Sequence, residues 1–213
     1  MAKRIFSLPR LDQLTKDQRK VLRLKEDGQY LIVGSPGTGK SVVALLRARE
    51  HQNCLFLTYN HVLETSTKQL FEGEINSHTA MGWFYQFYWQ LTGGKPESFD
   101  EDKMPERESH KPDYEVVQNV FKNLNKDCSD YRIIIDEGQD LPPGWYDCLV
   151  ELGVENFFIV ADQNQQLTDE NSDKKELKAV LGLEDKDVVK LEENWRTTPK
   201  LMKWINFMGE GIY

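Results

Sequence analysis

Gly34-Ser35-Pro36-Gly37-Thr38-Gly39-Lys40-Ser41 fits the pattern G-x-x-x-x-G-K-[ST] of a phosphate-cradling loop, and the fold can be worked out from it in both directions. Before it, Tyr30-Leu31-Ile32-Val33 is a short apolar run suited to a buried strand. After it, Ser41 to Arg49 has the spacing of a helix with one apolar face. Strand, glycine loop and helix thus follow in the order that phosphate binding requires. The glycines allow backbone N–H groups to turn toward phosphate oxygens, and the helix N-terminus adds partial positive charge. Lys40 is placed to neutralise the β- and γ-phosphates, and the Ser41 hydroxyl to ligate Mg²⁺. The bland alternative, a glycine-rich turn with a stray lysine, leaves the flanking strand and helix unexplained. The eight residues are therefore candidates for binding a nucleoside triphosphate.

A second chemical stretch lies downstream, Tyr131-Arg132-Ile133-Ile134-Ile135-Asp136-Glu137-Gly138-Gln139-Asp140. Three consecutive isoleucines point to a strand buried on both faces. Two carboxylates follow at its carboxyl end, where burial penalises charge unless a partner is present. Beside a phosphate loop the partner is a metal ion. Asp136 is expected to hold Mg²⁺ opposite Ser41, and Glu137 to orient and deprotonate an attacking water. A solvated acidic turn ahead of Pro142-Pro143 is the alternative.

The chain of 213 residues suits one large domain, or a domain carrying an inserted subdomain. Hydrophobic residues make up 39%, ample for a core, and no apolar run approaches membrane-spanning length. Met1-Ala2-Lys3-Arg4 has no apolar h-region behind it. The three cysteines, Cys54, Cys128 and Cys148, lack C-x-x-C spacing, which argues for reduced thiols in a cytoplasmic protein and against a zinc site. The net charge of −8 opposes generic nucleic-acid binding, which draws its affinity from Lys and Arg. Any strand contact must therefore come from a local site.

Thr15-Lys16-Asp17-Gln18 opens a helix expected to run to about Asp27, where Gly28 stops it. Gln18 admits two readings. It has capping-box spacing to Thr15, and its amide could also read adenine by donating to N7 and accepting from N6. Cys54 to Thr58 is a second buried strand with Tyr59-Asn60-His61 at its end, and a helix follows to about Phe71. In doubly wound sheets ligands sit beyond such strand ends. Glu74 to Thr79 reads as a shorter strand. The helix after it carries Trp83-Phe84-Tyr85-Gln86-Phe87-Tyr88-Trp89. Phe84, Phe87, Tyr88 and Leu91 share a face and favour core packing, while Trp83, Tyr85 and Trp89 lie off it and could stack on bases. Residues 92–112 are polar and broken by Gly and Pro, a candidate insertion or linker. Helical periodicity resumes from Asp113 to about Asn125. Asn156 to Val160 is a buried strand ending in Ala161-Asp162-Gln163-Asn164-Gln165-Gln166, a cluster suited to sensing the γ-phosphate state. A short helix near Lys175–Leu181, a strand at Val188–Leu191 and a closing helix from Leu201 complete the pattern.

Taken in order, these motifs resemble the first RecA-like domain of a superfamily I DNA helicase of the UvrD/Rep-like group, over nearly the whole chain. Leu14-Thr15-Lys16-Asp17-Gln18 resembles the adenine-reading glutamine motif, and Gly34 to Ser41 matches motif I. Thr58-Tyr59-Asn60 resembles motif Ia, and Ser77-His78-Thr79 the segment after it; both imply contact with single-stranded DNA. Asp136-Glu137-Gly138-Gln139-Asp140 is similar to the D-E-x-Q-D motif II, the most discriminating match. Ala161-Asp162-Gln163-Asn164-Gln165 resembles motif III, with Gln165 as the implied sensor coupling γ-phosphate to DNA. Asn194-Trp195-Arg196 resembles motif IV, implying adenine stacking by Trp195 and γ-phosphate contact by Arg196.

The resemblance implies an α/β, RecA-like P-loop NTPase: a doubly wound, mainly parallel sheet with helices on both faces and a small helical or loop insertion at about 80–128. The implied activity is ATP hydrolysis with ATP and Mg²⁺ as cofactors, coupled to single-stranded DNA. Catalytic roles fall to Lys40, Glu137, Gln165 and Arg196. No motifs of a second RecA-like domain occur before Tyr213. The chain alone is therefore expected to bind Mg·ATP, to hydrolyse it slowly and not to unwind DNA, with a second RecA-like domain or a partner subunit completing the motor. Arginine fingers contribute about 10³–10⁵ in rate, which sets the size of that deficit. The alternative function is an ATP-dependent switch that docks a partner without translocating, favoured by the acidic charge. A small-molecule P-loop kinase would leave Gln139, Gln165 and Arg196 without a role.

Overall fold

Short β-branched and aromatic runs alternate with amphipathic stretches along the chain, and that alternation builds a layered sheet with helices on both sides. The computed structural model describes residues 8–51, 53–93, 106–107, 111–162 and 172–193. Its strands are β1 (Gln29–Gly34), β2 (Leu55–Thr58), β3 (Asn76–Thr79), β4 (Glu106–Arg107), β5 (Lys111–Pro112), β6 (Arg132–Asp136), β7 (Asn156–Asp162) and β8 (Val188–Leu191). Its helices are α1 (Lys16–Leu22), α2 (Lys40–Glu50), α3 (His61–Leu70), α4 (Ala80–Thr92), α5 (Tyr114–Lys122), α6 (Pro143–Glu151) and α7 (Lys174–Val180). Six strands form one sheet in the order β3-β2-β6-β7-β1-β8, with parallel pairing throughout; β4 and β5 make a separate antiparallel pair.

The strand order dictates which face each helix covers. From β1 the chain steps outward through β2 to β3, then returns through β6 and β7 and passes β1 to reach β8. Right-handed crossovers in opposite directions place their helices on opposite faces. Accordingly, Val21 of α1, Val43, Ala44 and Ala48 of α2, and Phe71 after α3 pack with Ile32, Phe56, Ile134, Phe158 and Val160. On the other face α4, α5, α6 and α7 pack against Leu31, Leu57, Ile133, Ile135, Phe157 and Ile159. Alternate residues of each strand serve the two cores, as the period of 2 requires.

The aromatic run resolves as core. Phe84, Phe87, Tyr88 and Trp89 of α4 are buried, and Trp83 stacks on Phe87 with ring centroids 4.6 Å apart. Trp89, off the expected apolar face, is buried all the same. The stretch at 80–128 thus supplies α4 and α5 to the main core, and its polar middle lies largely outside the described residues.

One helix boundary differs from expectation. α1 ends at Leu22, where the Arg23 N–H closes the last turn on the Lys20 and Val21 carbonyls. The next residues are held instead by Arg47 of α2, which is almost wholly buried. Its guanidinium donates to the carbonyls of Leu24 (3.2 Å), Lys25 and Glu26 (3.4 Å) and lies 4.5 Å from the centroid of the Phe158 ring. A distant arginine gathering three carbonyls converts the expected last turn of helix into a loop.

Phe84 is fully buried between α5 and α6, so Phe84→Ala should destabilise the whole domain by about 3–5 kcal/mol. The expected result in urea unfolding is a single transition moved to lower denaturant. A transition left in place, with only local loss of helix signal, would show α4 to be a detachable appendage.

Candidate nucleotide-binding site

The parallel register brings four strand ends to one edge of the sheet. Gly34 at the end of β1 pairs with Asp162 at the end of β7, and Thr58 at the end of β2 pairs with Asp136 at the end of β6. The glycine loop leaves β1 here and turns into α2 through Gly37 and Gly39, both in the left-handed region (φ 88° and 83°). At Gly39 a Cβ would stand 2.4 Å from Gln18 Nε2, so only glycine fits.

Lys40 is 7% exposed and its ammonium points back across the loop. It donates to Gly34 O at 2.9 Å, to Ser35 O at 3.3 Å and to the Asp162 carboxylate at 3.3 Å. Both side chains of this ion pair are nearly dry. Asp162 as a direct partner of Lys40 was not anticipated, because it requires β7 to lie beside β1, which nothing local in the sequence specifies.

Asp136 is 1% exposed. Burial and then the neighbouring Glu137 push its carboxyl up to about 7, while Ser41 and Lys40 act in the opposite sense. Its Oδ1 accepts the Glu137 N–H at 3.2 Å. Its Oδ2 is buried without a hydrogen-bond partner of good geometry, although Ser41 stands near enough to favour the charged form. A buried carboxylate oxygen lacking a donor, facing a hydroxyl oxygen, is a donor set suited to a hard cation. Among the described residues no three His, Cys, Asp or Glu side chains form a self-sufficient metal cage. An ion here would draw its remaining ligands from a nucleotide and from water.

Glu137 has φ 56°, in the left-handed region, and its Oε2 accepts from Gln139 Nε2 at 2.9 Å. Gln139 is itself buried, and its Oε1 accepts the Asp162 N–H at 2.9 Å. One glutamine thus ties the acidic turn to the end of β7. Gly138 is pressed beneath Ile159 and Tyr146, where a Cβ would come within 2.3 Å of Ile159 Cγ2, and the Tyr146 hydroxyl donates to Gly138 O at 2.7 Å.

A cavity of about 750 Å³ opens over this edge. Pro36, Gly37, Gly39, Lys40 and Ser41 of the loop line it, with Glu137 and Asp162. Leu8, Pro9, Gln13, Leu14 and Val42 also line it and were not anticipated. Its volume falls in the range of small-molecule sites. Gln18 lines it too, with the capping box formed: Gln18 N donates to Thr15 Oγ1 and Thr15 N to Gln18 Oε1, each at 3.0 Å. In addition Gln18 Nε2 donates to Thr38 O of the glycine loop at 2.9 Å. Both ends of the Gln18 amide are thus engaged within the protein.

The residues expected to touch a nucleic-acid strand divide. Thr58 has no exposed surface, and its hydroxyl accepts the Asn60 N–H at 3.2 Å, which makes it a buried support for the loop that follows. Asn60 caps α3 by accepting the Val62 N–H at 2.8 Å, while Tyr59 is 54% exposed beside it. Thr79 is beside Thr58 in register, and His78 Nε2 lies 3.0 Å from Asn76 Oδ1. Burial, with Lys68 second, holds the His78 imidazole below its ordinary value, so at neutral pH it carries little charge for a phosphate. Gln165, Trp195 and Arg196 lie outside the described residues.

Neither known family models nor curated proteins match the sequence. The fold does have counterparts among solved structures. It is similar to the Pif1 helicase from Candida albicans, at 16% identity and a TM-score of 0.53, covering 92% of this chain and 43% of that one. It is also similar to Bacteroides Pif1 bound to ssDNA, at 15% identity and a TM-score of 0.48, covering 92% and 45%, and to the Pyrococcus furiosus Hef helicase domain, at 13% identity and 0.46, covering 91% and 41%. The chain spans less than half the length of these proteins. At such identities the likeness shows the fold alone: an α/β domain with a RecA-like parallel sheet.

The raised acid makes a pH prediction. Below pH 3.8 Asp136 is protonated in both the folded and unfolded states and contributes nothing. Between 3.8 and about 7 the unfolded chain ionises while the buried group resists, so stability falls as pH rises, and the penalty is complete above about 7. Metal-free protein should therefore melt higher at pH 5 than at pH 8, and Asp136→Asn should flatten that slope and raise the pH 8 melting temperature. Thermal unfolding in chelator checks this; an unchanged slope in the variant would assign it to other carboxylates.

Proposed function

We propose that this chain is the ATP-binding motor half of a superfamily I DNA helicase or translocase, of UvrD/Rep-like type. The observation that carries the reading is the meeting of Lys40, Ser41 and Glu137 at one cavity, with Asp136 buried next to Glu137 and close to Ser41, and with Gln139 joining the acidic turn to β7. The D-E-x-Q-D pattern supports the subtype, since its glutamine has a bridging task here that a generic P-loop ATPase lacks.

In the proposed mechanism the loop N–H groups and the α2 N-terminus bind the β- and γ-phosphates. Lys40 leaves Asp162 to neutralise them. Ser41 and Asp136 would hold Mg²⁺, which would neutralise charge on the phosphate oxygens. Glu137, aimed by Gln139, accepts a proton from the attacking water. Gln165, Trp195 and Arg196 are proposed as the γ-phosphate sensor, the base stack and the cationic stabiliser. Tyr59, Asn60, His78 and Thr79 are proposed to meet single-stranded DNA at the adjoining sheet edge, with Thr58 beneath them. A second RecA-like domain or partner subunit would complete the motor. Three buried free thiols support a cytoplasmic setting, and among the described residues no helix is long and apolar enough to cross a membrane.

The 213-residue chain should bind Mg·ATP, hydrolyse it slowly and fail to unwind a duplex. Glu137→Gln should lower turnover by about 10²–10⁴-fold with little change in ATP affinity, whereas Lys40→Ala should remove binding. Single-strand affinity measured against salt should give a negative slope on logarithmic axes. Nucleotide binding with no salt-dependent strand affinity would instead favour the partner-docking switch. Unaltered turnover in Glu137→Gln would remove its assignment as the base.

A further inference from the structure

We propose that Asp162 is a latch: by holding Lys40 folded back on the glycine loop, it sets the rate at which a nucleoside triphosphate can enter the site. The inference deepens the nucleotide-binding reading and rests on it.

An ammonium group has three hydrogens to place. Lys40 directs its donors to three acceptors of its own chain, Gly34 O, Ser35 O and Asp162 Oδ2. The two carbonyls belong to the loop itself, so the side chain closes the loop over its own backbone. Ser35 O is the focus of that closure. Besides Lys40 it accepts from Thr38 Oγ1 at 2.8 Å and from the Thr38 N–H at 3.3 Å. The lysine is satisfied internally in this conformation, and a phosphate gains it only by competing with these acceptors.

Asp162 decides that competition. Hydrogen bonds to an ionised acceptor are roughly twice as strong as those between neutral groups. The pair is also nearly dry, with the two side chains 8% and 3% exposed, so salt screens it little. Lys40 can swing on its four-carbon stem, but Asp162 cannot follow. Asp162 pairs with Gly34 in the β1–β7 register, and its N–H is held by Gln139 Oε1 at 2.9 Å. Movement of the lysine toward an anion in the cavity therefore separates the pair, and the carboxylate stays behind in the wall. The latch acts before binding, because only chains with Lys40 released can capture the phosphates. A latched form about ten times as abundant as the open one would weaken apparent affinity by about that factor. A carboxylate that merely repelled bound phosphate would act differently, by hastening departure.

The test is stopped-flow binding of a fluorescent ribose-labelled ATP (mant-ATP), with Mg²⁺, to the full chain. Asp162→Asn keeps an oxygen acceptor for Lys40 and removes the charge. Its association rate constant should rise about tenfold, while dissociation changes by less than about twofold. Asp162→Ser, a smaller neutral acceptor, should behave alike. Thermal unfolding without added nucleotide gives an independent readout. Lys40→Met should lower the melting temperature by about 5 °C in the wild-type background and by less than about half as much in Asp162→Asn. Equal losses in the two backgrounds would overturn the proposal. So would association left unchanged in both Asp162 variants, or a gain in affinity confined to slower dissociation. Failure of wild type to bind mant-ATP, or binding that survives Lys40→Met, would instead sink the nucleotide reading beneath it.

Discussion

The register of β7 against β1 and of β6 against β2 is the constraint on which the site depends. It sets Asp162 beside Gly34 and Asp136 beside Thr58, so that the glycine loop and the acids emerge at one edge. A shift of one residue would turn every side chain of the slipped strand to the opposite face. For β7 that would exchange Phe157 and Ile159 with Phe158 and Val160 between the two cores and carry Asp162 away from Lys40. The two hydrophobic cores therefore fix the chemistry as well as the fold. Packing on both faces is what makes the position of a lysine's partner, many residues distant in sequence, a determined quantity.

That edge concentrates negative charge. Asp136, Glu137, Asp140 and Asp162 stand close together, with Lys40 as the cation held among them. Burial followed by Glu137 raises the Asp140 carboxyl as well as that of Asp136, and Asp140 Oδ1 is another buried oxygen without a partner. Removing one member of a buried ion pair costs about 3–5 kcal/mol, because the other is left uncompensated. A triphosphate drawing Lys40 away from Asp162 would incur such a cost unless further positive charge arrived with it.

Much of this arrangement could be read from residues adjacent in the chain. The glycine loop between β1 and α2, the isoleucine strand ending in Asp136, and the cap of α1 at Thr15 all depend on local spacing, and they stand where it put them. What could not be read depends on contacts between distant segments. Arg47 truncates α1 by binding carbonyls more than twenty residues away. Thr58 lies in a motif position associated with a ligand, but it is covered because β3 and β6 flank it on both sides. Trp89 lies off the stripe that helical periodicity marks, yet α4 is enclosed on more than one side and buries it.

The acidic turn shows why its residue types are needed together. Glu137 sits in the left-handed region, a conformation that costs a non-glycine residue about 1–2 kcal/mol and persists only where its surroundings enforce it. Here they do. Gly138 fits beneath Ile159 and Tyr146 where any Cβ would collide, and the Tyr146 hydroxyl fixes its carbonyl. Gln139 then donates to Glu137 and accepts from the Asp162 N–H. A glutamate at 139 would lose the donor and set a second charge against Glu137; a leucine would leave the Asp162 N–H without its acceptor. The turn is strained so that the glutamate faces the cavity, and the glycine and glutamine after it are what keep it strained. Because the second of those bonds ends on β7, any movement of that strand end is felt directly at Glu137.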